Sequence, residues 1–118
     1  MAEGIFRHID TLDEVEIAPG VHFRILVGSQ LMFSVVRFAP HATVATHHHP
    51  HEQLGFLVDG ELEMWIGDEH RHLRRGDVYA IPPDVPHGAR THDSVALVLD
   101  AFHPLREDYI KRFSSNRT

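Results

Sequence analysis

Apolar and polar residues alternate with a period of two along most of the chain, and glycine, proline and aspartate interrupt the alternation at short intervals. In Glu61 to Ile66, Leu62, Met64 and Ile66 share one face while Glu61 and Glu63 share the other, the pattern of a half-buried strand. Val21 to Val27 and Leu31 to Phe38 are two further strand-like runs, separated by Gly28-Ser29-Gln30. Asp59-Gly60, between Leu54 to Val58 and Glu61 to Ile66, predicts a two-residue hairpin, because a type I′ turn needs positive φ at both central positions. Gly67-Asp68 is a weaker signal of the same kind before His70 to Leu73. Residues 1–20 carry an apolar amino end, an acidic stretch from Asp10 to Glu16 and a Pro19-Gly20 turn, and are expected to hold an edge strand. Helical spacing occurs after Pro104, where Leu105, Tyr109 and Phe113 predict a short helix over 104–113 with a frayed tail from Ser114 to Thr118. Many short strands with frequent turns predict an all-β sandwich or barrel.

Length and composition narrow the partners. The 118 residues are expected to form one domain, 1–118, without internal repeat, low-complexity tract or linker. There is no cysteine, which excludes disulfides and thiolate ligands. No charged leader precedes an apolar run, and nothing approaches the ~20 apolar residues that cross a bilayer, so a cytoplasmic protein off the membrane is expected. A formal charge of −6 argues against nucleic acid. An anionic small molecule stays compatible if a metal and an arginine act locally.

The candidate chemistry lies in Thr46-His47-His48-His49-Pro50-His51-Glu52-Gln53. If Thr43 to His49 is a strand, His47 and His49 share a face and His48 points away. Pro50-His51-Glu52 then reads as a corner that returns Gln53 toward the same side. Neutral imidazole suits first-row transition metals, and a carboxamide oxygen is a harder, uncharged companion. A solvated polar corner would carry the same residue types, so a further ligand matters. His87 supplies one, after the Gly76-Asp77 turn, a short apolar strand and the Pro82-Pro83-Asp84-Val85-Pro86 loop.

These two blocks resemble the two cupin motifs. The first has HxH, an acidic residue after a short gap and then glycine; here these are His47, His49, Gln53 and Gly60. The second corresponds to Gly76, Pro82, Asp84, His87 and Thr91. The chain departs from the pattern at His41 and Asp84, each in place of glycine, at Thr91 in place of asparagine, and at Gln53 in place of glutamate. The resemblance implies a double-stranded β-helix, a jelly-roll barrel, holding one divalent ion (Ni, Mn, Fe, Zn or Co) on His47, His49, Gln53 and His87.

One position breaks an apolar strand. In Val95 to Phe102, Asp100 shares a face with Ala96, Val98 and Phe102, and a buried carboxylate is costly unless paired or near a cation. Such carboxylates are enriched at functional sites, though Asp100 could equally end the strand at a polar rim or pair with Arg106. The tail from Leu99 to Tyr109, taken with the His-Pro-His-Glu-Gln block, is similar to the pectin-degradation cupins, which convert 4,5-unsaturated monouronates to linear keto forms. That resemblance implies that Asp100, Phe102 and Arg106 line the pocket, with Arg106 gripping a carboxylate, Asp100 moving a proton and Phe102 covering the sugar face. It also implies a homodimer formed by exchange of amino-terminal strands. A cupin-type metal-dependent dioxygenase and a non-catalytic sugar-binding cupin remain alternatives, and His48, His51 and His103 have no assigned role.

Overall fold

The computed structural model describes residues 4–115. After a short 3-10 turn at Ile9–Thr11 come nine strands and one helix: β1 (Val15–Ala18), β2 (Val21–Val27), β3 (Met32–Phe38), β4 (Thr43–His47), β5 (Glu52–Ile66), β6 (Glu69–Arg74), β7 (Val78–Ile81), β8 (His87–Arg90), β9 (Ala96–His103) and α1 (Glu107–Ser115). All pairings are antiparallel. One curved layer runs β1-β2-β3-β9-β5-β7, and a second places β6 and β8 on the far half of β5, with β4 on β8. The result is the expected jelly-roll barrel. β1 is the edge strand anticipated near the amino end. The helix starts at Glu107 and continues to Ser115, so Ser114 and Ser115, expected in the frayed tail, are helical, and the rest of that tail, 116–118, lies outside the described residues. No helix among the described residues is long and apolar enough to cross a membrane.

Asp59-Gly60 is not a hairpin. β5 runs unbroken through it, and the register against β9 slips between Leu57, opposite Val98, and Asp59, opposite Leu97. The reason is a change of phase. Gln53, Gly55 and Leu57 point inward in the first half of the strand, Leu62 and Met64 in the second, so the inward positions pass from odd to even numbers. A β-bulge absorbs that one-residue shift and bends the strand from one layer into the other. Gly60 sits there at φ 87°, and a Cβ on it would run into the Val95 carbonyl oxygen. Asp59 has no positive φ, which a type I′ turn would require. The weaker signal at Gly67-Asp68 does form a hairpin, with Ile66 opposite Glu69.

The core fills the barrel between the layers, with Phe23, Leu57, Leu62, Val21 and Val98 almost fully enclosed. Helix α1 closes one side. Its Tyr109 and Phe113 rings meet Phe23 edge-on at 4.6 and 5.0 Å between centroids. Such aromatic pairs add about 0.5–1.5 kcal/mol each beyond burial of their area. This packing anchors the helix next to Arg106.

Candidate metal centre and active site

The four expected ligands converge from the end of β4, the corner after it, the start of β5 and the start of β8. His47 is the last residue of β4, Gln53 lies at the start of β5 and His87 opens β8 directly opposite His47. The predicted strand to His49 stops at His47, so the Pro50-His51 corner, not strand alternation, places His49. Its ring is nonetheless buried beside the others, with centroid separations of 5.6 Å to His47 and 4.9 Å to His87. One ring nitrogen from each of the three histidines lies within 4.8 Å of the other two.

Backbone carbonyls settle which nitrogens face inward. Nδ1 of His47 lies 3.0 Å from the Ala45 carbonyl, Nδ1 of His49 3.2 Å from that of His51, and Nδ1 of His87 2.9 Å from that of Val85. A carbonyl only accepts, so each Nδ1 carries the proton and each Nε2 is left with a bare lone pair. Such outer contacts are the usual way a protein orients metal-binding imidazoles. Burial, helped by the nearby Arg106 charge, pushes His49 down to about 4; burial likewise lowers His87. Both rings are therefore neutral near pH 7.

A test of fit follows from Gln53. Its oxygen lies 3.1 Å from His49 Nε2, which brings two lone pairs together if His49 keeps its proton on Nδ1. The amide cannot simply reverse, because its NH2 end donates to Asp100. A neutral His49 has one proton for two facing oxygens, and a cation among three Nε2 atoms and Oε1 removes the conflict. The donor set, three imidazoles and a neutral oxygen without thiolate, fits a first-row divalent ion.

Asp100 lies beside this cluster and is only 7% exposed. It neither ends its strand at a rim nor pairs directly with Arg106. The Tyr79 hydroxyl donates to its Oδ1 at 2.5 Å and the Gln53 amide donates as well. Burial raises its carboxyl to about 6, against the opposing pull of these two donors and of the Arg106 charge. Tyr79, itself buried, is pushed well above its ordinary range by burial and by the Asp100 charge, so it stays a donor. Sequence reading missed Tyr79, because Val78 to Ile81 looks like an ordinary apolar strand. The signal available was Gly55, a glycine inside a strand pattern, which marks close approach by another group.

Arg106 is 5% exposed and its ion pair is with Asp108, at 2.7 Å. The guanidinium carbon lies 3.7 Å from the Tyr109 ring centroid and 5.1 Å from that of Phe102. His47, Gln53, Tyr79, His87, Asp100 and Arg106 line one cavity, whose remaining wall is apolar. Phe102 faces His49 at 5.9 Å between ring centroids. His48 and His103 are exposed, and His51 contributes its backbone carbonyl to His49.

The departures from the cupin motifs have local explanations. His41 and Asp84 hold φ values of 56° and 65°, so both keep the left-handed backbone that favours glycine there. Thr91 accepts from the Ala42 amide at 3.1 Å and donates to the Ala39 carbonyl, closing the turn into β4.

Comparison with known proteins agrees with this architecture. The cupin domain family matches residues 34–102. Pectin degradation protein KdgF of Dickeya dadantii (strain 3937) is 31% identical over 97 residues, covering 80% of this chain and 88% of that protein. H2HPP isomerase of Bacillus subtilis is 41% identical over 63 residues, 52% of this chain but 27% of that longer protein. Among solved structures, KdgF from Halomonas sp. superimposes with a TM-score of 0.84 at 32% identity, covering 91% of this chain and 99% of that one. An RmlC-like cupin from Shewanella frigidimarina NCIMB 400 gives 0.83 at 28% identity, covering 91% and 96%.

Proposed function

This chain belongs to the cupin domain family, and from that premise we propose that it is a metal-dependent enzyme that opens and isomerises 4,5-unsaturated monouronates of the kind released from pectin or alginate. The likeness to two KdgF proteins supports the pathway. The observation that carries the reading is the Gln53 carboxamide, held between Asp100 and His49 in a cavity that also contains Arg106.

The reaction needs no oxidant. A proton leaves the C1 hydroxyl, C1=O forms as the C1–O5 bond breaks with its electron pair going to O5, and the resulting enolate takes a proton at C4 to become the C5 ketone. His47, His49, His87 and Gln53 would hold the divalent ion, which supplies Lewis acidity toward a substrate oxygen and, with neutral ligands only, keeps its full double charge. Arg106 binds the uronate carboxylate, with its guanidinium oriented by Asp108 and stacked on Tyr109. Asp100, with a carboxyl raised to about 6 by burial, moves the proton between O1 and C4. Phe102 and the apolar wall keep water away from the enolate.

The substrate partner is thus a small anionic sugar, and a second copy of this chain is the proposed protein partner. The test of activity is incubation of metal-analysed protein with unsaturated galacturonate, following loss of the conjugated C4=C5 chromophore. The expected result is accelerated loss that disappears on chelation and returns with metal; loss at the buffer rate would overturn the reading.

A further inference from the structure

Tyr79, Gly55 and Asp100 form one row across β7, β5 and β9, because Gly55 is paired with Tyr79 on one side and with Asp100 on the other. Gly55 lacks the side chain that would separate them. A Cβ there would overlap the Tyr79 ring, so the ring occupies the glycine's space and reaches across β5 to Asp100. The second donor to Asp100 is the Gln53 amide. A carboxamide has one NH2 end and one oxygen end, so docking the first on Asp100 aims the second. Its oxygen faces His49 Nε2 at 3.1 Å.

We propose that Tyr79 is a positioning residue for Gln53: by holding Asp100 from across Gly55, it sets which end of the carboxamide faces the three histidines. The proposal rests on the metal reading of that site. Tyr79 is held by β7, Asp100 by β9 and Gln53 by β5, so three adjacent strands fix one amide orientation. A glutamine without this support can present either end, and the NH2 end is no metal ligand.

Tyr79→Phe removes the hydroxyl and keeps the ring in its place over Gly55. Metal-stripped wild type and variant are titrated with Co(II), following the visible d–d absorption and the heat of binding, and the Gln53 side-chain NH2 protons are observed by NMR in the metal-free proteins. The expected result is a Co(II) affinity lower by about tenfold or more, the usual range for loss of an outer-shell partner, with an altered absorption band. Faster solvent exchange of the Gln53 NH2 protons is expected alongside. Gly55→Ala, which displaces the ring, is expected to give the same changes. Equal affinity, equal spectrum and unchanged NH2 exchange in Tyr79→Phe would overturn the proposal. If the wild type takes up no cobalt, the metal reading fails, and the Gln53 NH2 exchange alone then decides the positioning role.

Discussion

Asp108 holds Arg106 from the side: Nη2 and Nε of the guanidinium lie 2.7 and 3.3 Å from the two carboxylate oxygens. Burial acts to raise the Asp108 carboxyl, but the bond and the charge of Arg106, with backbone hydrogen bonds at Tyr109 and Asp108, together keep it below the ordinary carboxylate range. A guanidinium has a second bidentate edge, its Nη1/Nη2 end, distinct from the Nε/Nη2 edge that Asp108 takes. The proposed grip on a uronate carboxylate is therefore an end-on one.

Asp108→Asn is expected to raise KM for a monouronate about tenfold with little change in kcat, which corresponds to roughly 1.4 kcal/mol of binding. Arg106→Lys removes the planar fork and is expected to cost more. Steady-state kinetics on both variants checks this; an unchanged KM in Asp108→Asn would show that the arginine needs no orienting partner.

Two substitutions of Asp100 separate its two jobs. Asp100→Asn keeps an oxygen that accepts from Tyr79 but removes the proton acceptor, so turnover is expected to fall by about 10²-fold or more. Asp100→Ala also frees Gln53, so metal affinity is expected to fall about tenfold besides. Near-normal turnover in the asparagine variant would take Asp100 out of proton transfer.

Much of this site is legible in the sequence, and the reason is that strands obey a period of two. The inward pair Asp100/Phe102 follows from alternation along β9, whereas His47 and His49 are found by motif spacing, since the corner after β4 places His49. Gly60 misleads for the same reason: a bulge and a hairpin both want glycine after aspartate, and only the odd-to-even change in inward positions along β5 distinguishes them. Tyr79 and Asp108 stay hidden because their roles depend on what lies across a strand or one turn away. No local pattern encodes Tyr79 passing over Gly55.

Acid stability offers a check remote from the cavity. Bonds from Arg90, at 3.0 and 3.1 Å, and from His92, at 2.8 Å, hold the half-buried Glu63 carboxyl down to about 2, below its ordinary value of 4.5. A carboxyl lower in the folded than in the unfolded chain stabilises fully above the unfolded value and loses that contribution as pH falls through the folded one. Wild type and Glu63→Gln are therefore expected to differ by a constant melting temperature above about pH 5, and to converge as pH falls from 4.5 to about 2. Thermal scans across that range read the effect, and a gap independent of pH would contradict it.

The proposed self-association has a surface to use. Leu54, Phe56 and Val78 are 55, 43 and 66% exposed on the outer face of the first layer, and Phe6 near the amino end is fully exposed. Contiguous apolar surface of this kind marks interaction sites. Light scattering is expected to give a dimer, and Phe56→Asp with Val78→Asp is expected to give a monomer of unchanged circular dichroism. A monomeric wild type would end the proposal.

Gln53 and Asp100 are a matched pair, and that accounts for the amide where the cupin motif usually has a carboxylate. The amide donates to Asp100 and offers oxygen to the histidines, whereas a glutamate in its place would set one buried carboxylate against another. Without metal, Gln53→Glu is expected to lose about 2 kcal/mol or more of stability, the scale of an unsatisfied buried charged group. Adding Asp100→Asn restores a donor opposite the new carboxylate and is expected to recover most of that loss, though not turnover. Urea unfolding of the two single variants and the double variant in chelator measures the coupling. Additive effects would show that position 53 does not sense Asp100, and the choice of glutamine would then have to be explained by the metal alone.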